Sequence, residues 1–177
     1  TLIPVIVVMG LAGACYKIVS SFTTTYLTTF GLSIELANGV TALMMALGAV
    51  GAVVEGALAD RLGERNAILL ATVMLGALSA ISANVGNVYL LSVTVFISGF
   101  ALLGVWPPFY SIIARSTSLG ARAFMYGLLF AIAWSFGSIF PYMSGVFADI
   151  FGLRVIYIIV SFVSLLAAFI TYLTLKK

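Results

Sequence analysis

Charge is confined to a few points in this chain, and those points divide it into six long apolar runs. Of its 177 residues, 63% are hydrophobic and 7% are charged, with a mean hydropathy of +1.26. A soluble domain carries about 25% charge to cover its surface. The outside of this chain must therefore be lipid. A helix needs about 20 apolar residues to cross roughly 30 Å of hydrocarbon. The runs predict spans over Leu2–Leu27, Leu36–Ala59, Ala67–Ala83, Val88–Ile113, Ala123–Phe147 and Val155–Leu175. They are too long for strands and lack the period-two alternation of a membrane barrel. The expected fold is an all-α integral membrane bundle of six transmembrane helices, occupying 1–177 as a single unit.

The basic residues set an orientation. Arg61, Arg65, Arg115, Arg122, Lys176 and Lys177 fall on one side if both ends share it, and the other side keeps Arg154. Cytoplasmic loops are enriched in Lys and Arg, so both termini are predicted cytoplasmic, with the cell membrane as the expected location. The net charge of +3 is then a topology signal, and no nucleic-acid partner is needed to explain it. Cys15, the single cysteine, cannot form an intrachain disulfide. The first run is too long for a signal-peptide core and carries Lys17. The chain opens on Thr1, and reads as a piece of a longer protein.

Two segments align 89 positions apart, from 56 to 145. Gly56-Ala-Leu-Ala59-Asp60-Arg-Leu-Gly63-Glu-Arg65 and Gly145-Val-Phe-Ala148-Asp149-Ile-Phe-Gly152-Leu-Arg154 both read G-x-x-A-D-x-x-G-x-R. Each lies where the second helix of a three-helix unit turns into the third. Three crossings are odd, so the second unit is upside down relative to the first. The expected organisation is a 3+3 inverted repeat over about 1–87 and 88–177, a plan of secondary transporters with the solute site near the midplane.

The first copy, Gly56 to Arg65, resembles the signature of the major facilitator superfamily, G-x-x-x-D-R-x-G-R-R, in position and spacing. Glu64 departs from it, where the family prefers a base. The segment Pro141-x-x-x-Gly145-x-x-x-Asp149-x-x-Gly152 looks like the end of the penultimate helix of a C-terminal half. The resemblance implies half of a twelve-helix fold, with a missing six-helix half as partner. It implies that Gly56, Asp60, Arg61, Gly63 and Arg65 form a conformational signature that latches the halves and yields as they rock. Read physically, the small residues smooth the second helix for close packing. Asp60 can face a helix N-terminus, and Arg61 and Arg65 can pair with it; a plain topology anchor is the alternative.

Lys17 lies deep in the first span, where an ammonium costs about 2.5–3.5 kcal/mol even on insertion scales and usually marks a cavity. Ser21 and Thr24 share its face at i+4 and i+7. The expectation is a cationic, hydroxyl-lined stripe in a solute site; the alternative is a structural pair with a carboxylate of the absent half. Adding the repeat offset to Lys17 reaches Trp106, followed by Pro107 and Pro108, which remove backbone donors and kink a helix. Interrupted helices at matching places point to a binding site, and Trp106, Phe109 and Tyr110 would offer aromatic surface there; a simple packed kink is the alternative. Glu55 could carry protons, since burial raises a carboxyl pKa, although a structural contact is the favoured reading. Trp134 and Tyr126 read as packing or interface residues more than as ligand contacts.

There is no histidine, one cysteine cannot build a zinc cluster, and no phosphate-binding G-x-x-x-x-G-K-[ST] occurs. No metal, cofactor or enzymatic site is expected. The function expected is secondary active transport of a small solute by alternating access, leaning to a small organic anion. A coupling ion, proton or sodium, would supply the energy. The alternatives are proton-coupled multidrug efflux, a dimeric six-helix carrier, and a non-transporting membrane enzyme or scaffold.

Overall fold

The fold, obtained as a computed structural model, is described for residues 3–175. Leu2, the expected start of the first span, and Thr1, Lys176 and Lys177 lie outside the described residues. The elements are α1 (Ile3–Thr28), α2 (Ile34–Leu62), α3 (Glu64–Asn84), α4 (Val88–Gly104), α5 (Trp106–Ser116), α6 (Leu119–Phe151) and α7 (Arg154–Thr174). α4 and α5 make one span interrupted at Val105, so six helices are long and apolar enough to cross a membrane. Each follows an expected apolar run; most ends run on into the loops, while the last helix stops at Thr174, one residue before the expected Leu175. Ser33 and Asn87 cap α2 and α4 by accepting hydrogen bonds from backbone N–H groups of the first turn. Those N–H groups have no intrahelical partner. The chain is an all-helical integral membrane protein.

Packing follows the small residues. α2 buries a single stripe of Ala37, Met44, Gly48, Gly51, Glu55 and Ala59 and lays it on α4. A methyl group on Gly51 would overlap the carbonyl of Phe100, and one on Gly99 the carbonyl of Met44. Backbone thus meets backbone across this crossing, as expected where lipid supplies no hydrophobic drive between helices. α6 packs on α1 less tightly, where a methyl group on Gly13 would lie 3.0 Å from the Ala133 carbonyl oxygen, and α3 packs on α7.

Hydroxyls join the remaining contacts. Ser161 and Ser164 on α7 donate to the carbonyls of Gly76 (2.9 Å) and Thr72 (2.8 Å) on α3. Thr23 on α1 meets the Tyr157 hydroxyl at 2.9 Å. Such bonds across membrane helices are worth about 0.6 kcal/mol each on average.

The loops sort by charge. Arg115 bonds Glu64 at 3.1 Å, so the α2–α3 and α5–α6 turns, with Arg61, Arg65, Arg115 and Arg122, share one end of the bundle. Arg154 bonds the Asn84 side chain at the opposite end.

Placing a branched side chain at the α2–α4 crossing should destabilise the bundle. Gly99→Val is expected to lower the thermal unfolding midpoint in detergent by the equivalent of about 1–3 kcal/mol or more, as overpacking does. Gly120→Ala, where nothing lies near the added methyl, should leave it unchanged or raised. Equal midpoints for Gly99→Val and the parent would refute the close-packed crossing.

Candidate functional site

The break in the fourth span arises from composition. Pro107 and Pro108 open α5 at its first positions, where a missing N–H is tolerated. They cannot supply donors to α4, which ends at Gly104. Trp106 lies at this break and its ring organises the surroundings. It stacks nearly parallel to Phe130 at 6.3 Å between centroids and 4°, and to Trp134 at 6.4 Å and 13°. Tyr110 continues the series against Phe130 at 5.6 Å. Tyr16 meets Trp134 edge-on at 5.7 Å, and the Tyr126 hydroxyl donates to the Tyr110 carbonyl at 2.9 Å. These spacings suit offset and edge-to-face aromatic contacts. The result is an aromatic ladder shared by α1, α5 and α6.

Lys17 closes the ladder. Its Nζ lies 4.3 Å from the centre of the Trp134 ring, a cation–π contact worth about 0.5–2 kcal/mol. Lys17 is half-buried, and the ion pair present among the described residues, Arg115 with Glu64, does not involve it. The ammonium is therefore held by a ring quadrupole, which stabilises it without neutralising it. A charge left in this condition remains able to attract an anion.

Several expected site residues come together here and others do not. Lys17, Trp106 and Tyr110 belong to one assembly, although Trp134 from α6 stands between Lys17 and Trp106. Trp106 is only 8% exposed and Phe109 is fully buried, so Phe109 serves the core and offers no surface. Trp134, at 36% exposed, packs on Tyr16 and Trp106 and also presents an open face beside Lys17. The spacing of Tyr126, Phe130 and Trp134, four residues apart, places them on one face of a helix. That signal was available. Ser21 is exposed on α1. Thr24 is turned to α2, where its hydroxyl bonds Asn38 (3.2 Å) and Thr41 (3.1 Å).

The loop signature is arranged differently from the simple pairing expected. Asp60 and Arg61 are exposed, and neither takes part in an ion pair among the described residues. Gly63 takes φ 86°, ψ 150°, ending α2 by donating its N–H to the Ala59 carbonyl. That positive φ favours glycine. Arg65 reaches across the bundle to the Tyr172 carbonyl at 2.8 Å and lies 5.1 Å from that ring. Glu64 accepts from Ser111 (2.9 Å) as well as Arg115, so the residue that departs from the family pattern ties α3 to α5. Gly56, on α2, faces Pro107 on α5. Glu55, one turn before Asp60, is fully buried, and neither carboxyl oxygen has a hydrogen-bond partner.

Residues 5–177 match the family model of the Major Facilitator Superfamily. Comparison with curated proteins gave no match. The match runs through all six apolar spans, both glycine turns and the broken fourth span. The chain thus belongs to the Major Facilitator Superfamily, a family of membrane transporters.

Proposed function

We propose that this chain is one six-helix half, the C-terminal one, of a secondary transporter that moves a small organic anion by alternating access. Lys17 with the aromatic ladder, Trp106 and Tyr110 included, forms its share of the solute site; Ser21 and Thr24, further along α1, stand apart from the ladder. The observation that carries this reading is the Lys17 ammonium at 4.3 Å from Trp134 without a carboxylate partner among the described residues. An anion entering the site would gain a charge-assisted hydrogen bond that the ring does not supply. A planar substituent would meet the edge of the ladder.

The packing supports an inverted repeat over about 1–87 and 88–177. Under the 89-residue offset the close α2–α4 contact has its counterpart in α6 with α1, and α3 with α7 is its own counterpart. Gly63 (φ 86°, ψ 150°) corresponds to Gly152 (φ 82°, ψ 162°), and each donates its N–H to the alanine four residues before. Arg65 at the start of α3 grips Tyr172 near the end of α7, and Arg154 at the start of α7 grips Asn84 at the end of α3. The two bonds exchange roles, as a twofold axis between α3 and α7 requires.

α2 and α6 are the least buried spans, which supports a covering partner half. The four arginines at one end support a cytoplasmic assignment of that end, and of both termini, in the cell membrane. The signature Gly56, Asp60, Arg61, Gly63 and Arg65 would act at that end as the halves rock.

Proton-coupled efflux of aromatic compounds is the second reading. It is favoured by the extent of the ladder together with the buried Glu55; sodium is the other candidate coupling ion.

Lys17→Ala in the full-length protein, reconstituted in vesicles, is expected to weaken the apparent affinity for organic anions about tenfold or more. Hydrogen bonds to charged groups are worth about 1.5–3 kcal/mol. Lys17→Arg should retain most of it. Unchanged affinity and flux in Lys17→Ala would remove the residue from the site, and uptake of cations alone would favour the efflux reading. Arg65→Ala should alter maximal flux while leaving apparent affinity in place, because it loosens α3 from α7 away from the solute.

A further inference from the structure

Glu55 occupies the middle of the buried stripe that α2 presses on the fourth span. It is 0% exposed within this six-helix bundle alone. Opposite it stands Gly104, the last residue of α4; a methyl group there would lie 2.6 Å from the Glu55 Cγ. Neither carboxyl oxygen finds a donor. An ionised carboxylate in this place would be enclosed with neither a hydrogen bond nor a counter-charge among the described residues, a combination proteins avoid.

The counter-charges can be followed element by element. α4 contains no charged residue. α5 contributes Tyr110, held in the ladder, and Arg115, bonded to Glu64. α3 brings Glu64 and Arg65 at its first turn, and Arg65 is bonded to Tyr172. α1 brings Lys17, which lies over Trp134 on α6. On α2 itself Asp60 and Arg61 are exposed in the loop-facing turn.

The complementary deficit lies beside it. In a regular helix each carbonyl accepts from the N–H four residues ahead. For Leu103 and Gly104 those nitrogens belong to Pro107 and Pro108, which carry no hydrogen. Leu103 is left with the short-range N–H of Val105. A neutral carboxyl brings one O–H in search of an acceptor, and the glycine against it heads a broken stretch whose carbonyls have lost their helical donors.

We propose that Glu55 is a proton-binding site whose O–H, when loaded, closes onto the carbonyls that Pro107 and Pro108 leave without helical donors, so that proton occupancy sets the bend of the fourth span. Loss of the proton turns that O–H into a second acceptor facing acceptors, and the contact between α2 and the break opens. Trp106 follows the break directly, so its stacking on Trp134, and with it the seat of Lys17, changes with the proton. The use of this switch in solute movement rests on the transport reading above; the proton site itself does not.

Infrared difference spectroscopy between acid and alkaline buffer, on the full-length protein in lipid nanodiscs, tests the site. A carboxylic-acid band should be present in acid, be lost as pH rises, and be absent from Glu55→Gln. Pro107→Ala/Pro108→Ala, which restores two backbone donors that compete for the same carbonyls, should shift its frequency. If Glu55→Gln fails to fold, Glu55→Asp serves, since one methylene less must move the band. With Trp134→Phe leaving Trp106 as this chain's remaining indole, emission should follow pH and cease to do so when Glu55→Gln is added. No band dependent on residue 55, or emission that follows pH equally well in Glu55→Gln, would overturn the proposal. Solute flux in a protein without the band overturns the proton site alone. The band in a protein without flux supports the site and overturns the transport reading.

Discussion

In hydrocarbon every backbone N–H and C=O has to be satisfied by the chain itself, and Pro107 with Pro108 is the place where this molecule withholds two donors. The rest of the arrangement is built around that deficit. α4 ends at Gly104, whose lack of a side chain leaves room for Glu55. Gly56 brings α2 up to Pro107. Trp106, released from a continuous helix, turns its ring between Phe130 and Trp134. Irregular backbone at membrane depth is tolerated where protein surrounds it, and here that protein is the glycine-lined face of α2.

Lys17 illustrates a second way of carrying an expensive group. A buried carboxylate partner would neutralise the ammonium, but desolvation would offset much of the gain. The Trp134 face instead holds the charge without cancelling it. The ladder behind Trp134 immobilises that ring, so the position of the ammonium is set by stacked aromatics on two other helices. The electrostatic and packing features of the site are thus the same feature.

The loop chemistry is equally distributed. The arginines at the starts of α3 and α7 satisfy carbonyl or amide oxygens near the ends of each other's helix. This fastens an antiparallel pair at both ends. Glu64 gains its partners from α5, through Ser111 and Arg115, and so links the α2–α3 turn to the segment that carries the break. An exposed pair of this kind is worth about 0.2–1 kcal/mol. Its effect is to fix direction more than to stabilise.

Composition and charge spacing by themselves determined that the chain is a bundle of six membrane helices. Apolar length is a one-dimensional property, and of the two structures that satisfy the backbone in lipid, helix and closed barrel, runs of this length without alternation fit only the helix. The prolines located the break, Lys17 marked the charge within the first span, and the repeated G-x-x-A-D-x-x-G-x-R pointed to the two glycine turns. Partnership between helices was not legible, because it depends on how each helix is rotated about its axis. Rotation placed Trp134 against Lys17 while Phe109, three residues after Trp106, went to the core. It turned Arg65 to Tyr172 instead of Asp60, and it enclosed Glu55 at a broken helix with no hydrogen-bond partner among the described residues. Only tertiary structure decides such pairings, since they join residues far apart in the chain whose side chains meet when the bundle closes.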